Sequence, residues 1–237
     1  MSRRRLQQSA LPWYLLAALG SPQTAVAQNK PVTVAILPFQ DRGSYGQDKE
    51  TFRALQLGIP ATIASELRGH SELRLADADR VHRALPRQEV SATTGLDAAT
   101  AARVGKEAGA QYAITGSFAD FYGKIRLDAR IINSESGQIV KVVSNDPRQD
   151  DLSQLYRIIQ TVGHKVLAAA RPGGSASTEG PNEERSIPTD ALLQYSLGLL
   201  SKQDGNTSAA REHFERALAI FSDYPEAQEE LARVRSS

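Results

Sequence analysis

The chain has 237 residues, with 28 Lys and Arg against 27 Asp and Glu, four His and no Cys. This near-neutral balance excludes a general basic surface for nucleic acid. The missing cysteine excludes disulfides, thiolate metal sites and an acylated N-terminal cysteine. Its length and 41% hydrophobic content are enough for one large domain or two small ones with a buried core.

The first element is a targeting segment. Arg3, Arg4 and Arg5 precede an apolar run from Leu11 to Leu19, and Ala25-Val26-Ala27 stands before Gln28. This order predicts a secretory signal peptide over residues 1–27, cleaved after Ala27. The apolar run is too short to span a bilayer, so no stable membrane insertion is expected after cleavage. Ser2-Arg3-Arg4-Arg5-Leu6 also fits a twin-arginine signal loosely. Removing the three arginines from 28 leaves 25 basic against 27 acidic residues. A soluble periplasmic protein is the expectation.

The mature chain opens with PVTVAILPF, apolar on both alternating faces, as in a central strand covered on both sides. Pro38 and the polar segment after it are expected to end that strand. From Thr51 to Arg68 the spacing of Phe52, Leu55, Ile59, Ile63 and Leu67 is helical, with a kink or late start expected at Pro60. Glu72 to Ala76 reads as a short strand, and Asp77 or Asp79 can cap a brief helix through Leu85. After the polar loop PRQEVSATTG, Leu96 to Ala108 is helical, with Gly109 closing it.

The next stretch, GSFADFYGKI, superficially resembles a phosphate-binding loop. Gly116 and Gly123 are seven positions apart where the P-loop needs five, and Ile125 stands where Ser or Thr should be. Its neighbours alternate instead: Ile125, Leu127, Ala129 and Ile131 against Lys124, Arg126, Asp128 and Arg130. With Tyr112, Ile114 and Phe118 before and Ile139 to Val143 after, this predicts an antiparallel meander turning at Gly123 and at Ser136-Gly137. Asp151 to Ala170 reads as an amphipathic helix.

ARPGGSASTEGPNEERSIP has a linker composition, so residues 171–188 are expected to be flexible and to divide an α/β domain at 28–170 from a helical unit at 189–237. In that unit Leu197-Gly198 recurs as Leu231-Ala232. Gly205, Ala210, Phe214 and Ala217 lie where a tetratricopeptide repeat places its turn glycine, small residues and aromatic. The expected fold is therefore α/β, a mixed sheet with a C-terminal antiparallel meander and packed helices, followed by an all-α tetratricopeptide-like element.

Little in the chain points to catalysis. His70, His82, His164 and His213 lack metal-ligand spacing, and Ser117 lies inside an expected strand, not at a nucleophile elbow. Asp150-Asp151 reads as a helix cap and Glu183-Glu184 as solvated linker charge. No catalytic residue, cofactor or metal is assigned, and the chain is not expected to be an enzyme.

"VAILPF", "GIPATIASELRG" and "ARVGKEAGAQYAITGSFADFYGKIRLDARIINSESGQIV" together resemble the TolB amino-terminal-like, FlgO and CsgG-type periplasmic domains, over residues 31–170. That resemblance implies helices packed on a mixed sheet, used as an assembly or docking module of the cell envelope. The chain departs from the curli secretion proteins in having no acylated cysteine, and from TolB in carrying a helical repeat where TolB has a propeller.

The reading that follows is a non-enzymatic periplasmic protein–protein interaction or assembly factor of the envelope. The alternatives are a component of a curli-like, CsgG-type outer-membrane secretion system, and an envelope hydrolase or ligand-binding protein. In a tetratricopeptide repeat the first helix turns its second, fifth, ninth and twelfth positions to a groove. Counted from Ala191, these are Leu192, Tyr195, Leu199 and Lys202. Such a face suits an envelope protein or peptide. Packing on the chain's own α/β part, or on another copy in a homo-oligomer, is the alternative use.

Overall fold

The computed structural model of the chain describes residues 30–45, 48–85, 96–147, 150–170 and 185–236. The expected signal peptide, the polar loop 86–95 and linker residues 171–184 lie outside the described residues.

Five strands form one mixed sheet. β1 (Val32–Asp41) pairs in parallel with the short β2 (Leu73–Leu75) on one side and with β3 (Tyr112–Phe121) on the other. β3, β4 (Lys124–Asn133) and β5 (Ile139–Ser144) continue it as an antiparallel meander, giving the order β2-β1-β3-β4-β5. Alternation along β1 sends Val34 to one apolar cluster and Ala35 to another, so both faces of the central strand are covered.

β1 runs past Pro38, against expectation. A register irregularity between Ile36 and Phe39 takes up the proline, and Pro38 O accepts a bond from Thr115 Oγ1 at 3.0 Å. At Gly116, beside Phe39, a Cβ would overlap both Asp128 O and the Phe39 ring. Close packing, not phosphate binding, explains that glycine.

α1 (Lys49–Arg68) starts at Asp48, whose side chain accepts from Thr51 N, and it passes through Pro60 without ending. It lies on one face of the sheet beside α4 (Leu155–Ala170), which follows a 3-10 turn at Leu152–Gln154. On the opposite face sit α2 (Ala78–Ala84), capped by Asp77, and α3 (Ala98–Glu107), capped by Asp97. Gly109 follows α3 at φ +74°, the left-handed position of a helix end. The expected cap at Asp150-Asp151 does not form. Asp151 pairs with Lys124 at 2.6 Å, and Asp150 accepts from Asn145 Nδ2 at 3.0 Å, so tertiary partners take both carboxylates.

The C-terminal helices α5 (Thr189–Gln203), α6 (Thr207–Ile220) and α7 (Pro225–Arg235) stack outside α1. A Cβ on Gly198 would come within 2.6 Å of Phe214 Cδ1, so this glycine seats the aromatic between α5 and α6. The apolar cluster is continuous from Val34 in the sheet through Ile59 in α1 to Tyr195, Phe214 and Tyr224. Ile187 is buried in it, and Arg185 bonds to Glu226, so the last residues of the expected linker are part of the packed structure.

Candidate functional site

Of the sequence-predicted groove residues, Leu192 and Tyr195 lie on the inside, Leu199 is half-buried and Lys202 is exposed. Leu192 is fully buried and Tyr195 is 5% exposed. Tyr195 stacks in tilted fashion on Phe214 and Tyr224, at 5.9 and 5.1 Å between ring centroids. Leu199 is partly buried against the same core, and Lys202 pairs with Glu230 at 2.5 Å. An outward-facing groove was the expectation; α1 covers this face, because Gly58 lets α5 approach it at Ser196. Burial raises the Tyr195 phenol above its usual range, and the nearby Glu230 and Glu226 add to this.

Polar groups at this helical interface bond to one another. Tyr156 Oη donates to Glu66 at 2.6 Å, and Glu226 accepts from both Arg185 and Ser65. Burial raises the Glu226 carboxyl, but the bonds from Arg185 and Ser65 outweigh it and hold its pKa below the ordinary value. Tyr156 is raised, first by burial and then by Glu66. Their partners are structural.

A different set of side chains faces solvent. β3 and β4 are joined by Tyr122 and Gly123, with Phe121 opposite Lys124. Both loop residues have positive φ, +55° and +86°, the signature of a type I′ hairpin. Asn-Gly is the favoured pair there, and a bulky residue at left-handed φ costs about 1–2 kcal/mol. Tyr122 carries this cost while 86% exposed, so burial of its ring cannot repay it.

Two further aromatic rings join it. Tyr45 stacks on Tyr122 with centroids 5.4 Å apart and planes at 19°, and Phe121 lies 5.9 Å from Tyr45. Tyr45 is 55% and Phe121 42% exposed. The backbone beneath them is fixed: Arg42 N donates to Phe118 O, Tyr45 N to Asp120 O and Gly123 N to Asp120 Oδ1. Ser44 Oγ donates to Asp41 Oδ1 at 2.6 Å and accepts from Asp120 N at 3.0 Å. Leu152 N closes on Gly123 O at 2.8 Å from the other side.

Sequence reasoning identified Gly123 as a turn residue and passed over its neighbours. The signal available was a tyrosine in the slot before glycine where asparagine is favoured. Among the described residues no group of three or more His, Asp or Glu is placed to hold a metal ion, and no helix is long and apolar enough to cross a membrane.

No family model matches the chain, and none of the curated proteins does. The likeness to TolB, FlgO, CsgG and tetratricopeptide proteins therefore rests on the residues quoted above alone. Among solved structures, the LpoB C-terminal domain from Salmonella enterica is similar at 14% identity, covering 51% of this chain and 85% of that one, with a TM-score of 0.38. The NMR structure of Escherichia coli LpoB is similar at 12% identity over 61% of this chain and 80% of that one, TM-score 0.38. Lipoprotein GNA1162 from Neisseria meningitidis is similar at 12% identity over 48% and 78%, TM-score 0.36. Likeness at this level carries no argument about function.

Proposed function

We propose that this chain is a non-enzymatic interaction or assembly factor of the bacterial cell envelope, acting in the periplasm after export. The observation that carries the reading is Tyr122: a large aromatic held at left-handed φ, almost fully exposed, on a hairpin braced from two sides. Backbone strain that local burial does not offset concentrates at functional positions. Exposed Tyr on a rigid support is the residue type that anchors protein interfaces, since it offers large contact area at low entropic cost. Tyr156 and Glu226, whose ionisation is shifted at the α1–α7 interface, are paired with structural partners, which supports binding over catalysis.

Tyr122→Asn tests this directly. Asparagine suits the turn, so the melting temperature should hold or rise. A partner bound from periplasmic extract by the wild type should be captured about 30-fold less, as for loss of an interface hot spot. Undiminished capture by the folded variant would remove the tip from the interface and the proposal with it.

A further inference from the structure

Among the described residues, the far edge of β1 is open beyond β2. β2 has three residues, and its ladder with β1 ends at Val34 opposite Leu75, closed by Ala76 N donating to Val34 O at 2.8 Å. β1 continues to Asp41. Val32 N and Val34 O both bond toward β2, whereas Thr33 O accepts from Gln111 N on the β3 side. The strand alternation holds through Ile36, which pairs in register with Ile114 before the irregularity. The backbone N–H and C=O of Ile36 therefore point to the β2 side, where β1 has no neighbouring strand among the described residues.

A cleft of about 400 Å³ lies over that edge. Its floor is Ile36 to Pro38, and its walls come from α1, through Leu57, Ala61 and Ala64, and from α2, through Val81. The small side chains leave room for another chain's residues, and the volume is in the range of ligand sites. Arg68 and His82 are the ionisable residues lining it, and both are bases. The nearest carboxylate to Arg68 is Glu229 at 4.0 Å, with both side chains more than half exposed. An apolar cleft with basic groups and an open strand edge calls for three things in one ligand: a backbone to pair, apolar side chains to bury and a carboxylate.

We propose that this cleft receives an extended acidic peptide segment of another protein, which adds as a strand beside Ile36. A lipid carboxylate could meet the bases but could not pair with the strand edge. None of the residues of the aromatic tip lines the cleft, so this inference stands apart from the tip and is tested separately.

The probe is a capped heptapeptide of alternating Ser and Val ending in Glu, titrated to about 1 mM, the weak end for a peptide ligand. Hydrogen exchange at the Ile36 amide should slow by about tenfold or more when it binds, as for an amide newly held in a ladder. The same peptide ending in Lys should bind the wild type about tenfold more weakly, and Arg68→Glu should reverse that order. Ala64→Tyr, on the wall of the cleft, should block both peptides while the circular dichroism spectrum stays native. Tyr122→Asn should leave peptide binding unchanged.

Three results would overturn the proposal. The first is an Ile36 amide indifferent to the Glu peptide, or equal affinity of the wild type for both peptides. The second is decanoate binding in the cleft where the peptide does not. The third is Ile36 protection that grows with protein concentration without peptide, which would make a second copy the occupant.

Discussion

Gly58 of α1 and Ser196 of α5 meet so closely that a Cβ on Gly58 would overlap Ser196 Oγ and lie 2.7 Å from Ser196 Cβ. Ser196 Oγ donates back to Leu192 O at 2.7 Å, which removes its hydroxyl from the burial cost. Rotating the hydroxyl would not relieve the clash at Cβ. Gly58→Ala should therefore cost about 1–3 kcal/mol by overpacking, even though alanine is the better helix former. Adding Ser196→Gly should recover part of that loss in urea titrations; a neutral Gly58→Ala would mean that the two helices lie further apart.

Tyr195 and Phe214 should behave alike. Both are buried in the same aromatic cluster, so either truncation to Ala should cost about 3–5 kcal/mol. Thermal melting reads this. A Tyr195→Ala protein as stable as the wild type would restore the exposed groove expected from the repeat pattern.

Glu226 gives the interface a pH dependence of known sign. Its folded pKa is below its ordinary 4.5, because the bonds from Arg185 and Ser65 outweigh burial. A depressed carboxylate contributes stability that is complete above the unfolded value and is lost as pH falls from about 4.5 through the folded value. Arg185, Tyr156, Tyr195 and Tyr224 are ionisable groups that interact with it, and Glu66 lies beside Tyr156 and Arg185. Glu226→Gln should be less stable than wild type at pH 7, with the gap closing as pH falls through the folded value. Parallel curves for the two proteins in pH-dependent urea melts would contradict this.

Among the described residues, Tyr224 Oη is buried without a hydrogen-bond partner while its ring packs on Tyr195 and Phe221. An unsatisfied buried hydroxyl costs about 1–3 kcal/mol, so Tyr224→Phe should keep the packing and raise stability by about 1 kcal/mol. A loss of stability in chemical denaturation would show that the hydroxyl has a partner in solution.

The meander was legible because alternation survives in Lys124 to Ile131, and β4 has one wet face there. The helices were legible from apolar spacing and from the caps at Asp77 and Gly109. What periodicity cannot supply is the identity of the neighbour. It marked Leu192 and Tyr195 as one apolar face, but it could not say that α1 covers that face, because the deciding residue is Gly58, which carries no hydrophobicity signal. The same blindness hid the aromatic tip. Tyr45 sits in a polar stretch far from Tyr122 in sequence, and only the pairing of β1 with β3 brings the two rings together. Asp151 misled in the opposite way: a local capping rule lost to Lys124, contributed from a different strand.

The packing on both sides of residues 171–184 has a practical consequence. Ala170 is buried at the end of α4, while Arg185 and Ile187 are fastened to α7 and the core. A polypeptide cut between those anchors should keep its shape, as two pieces holding each other without a covalent join. The body and the helices could then be produced as separate chains and mixed to rebuild the whole, so that mutations in either half can be exchanged like parts.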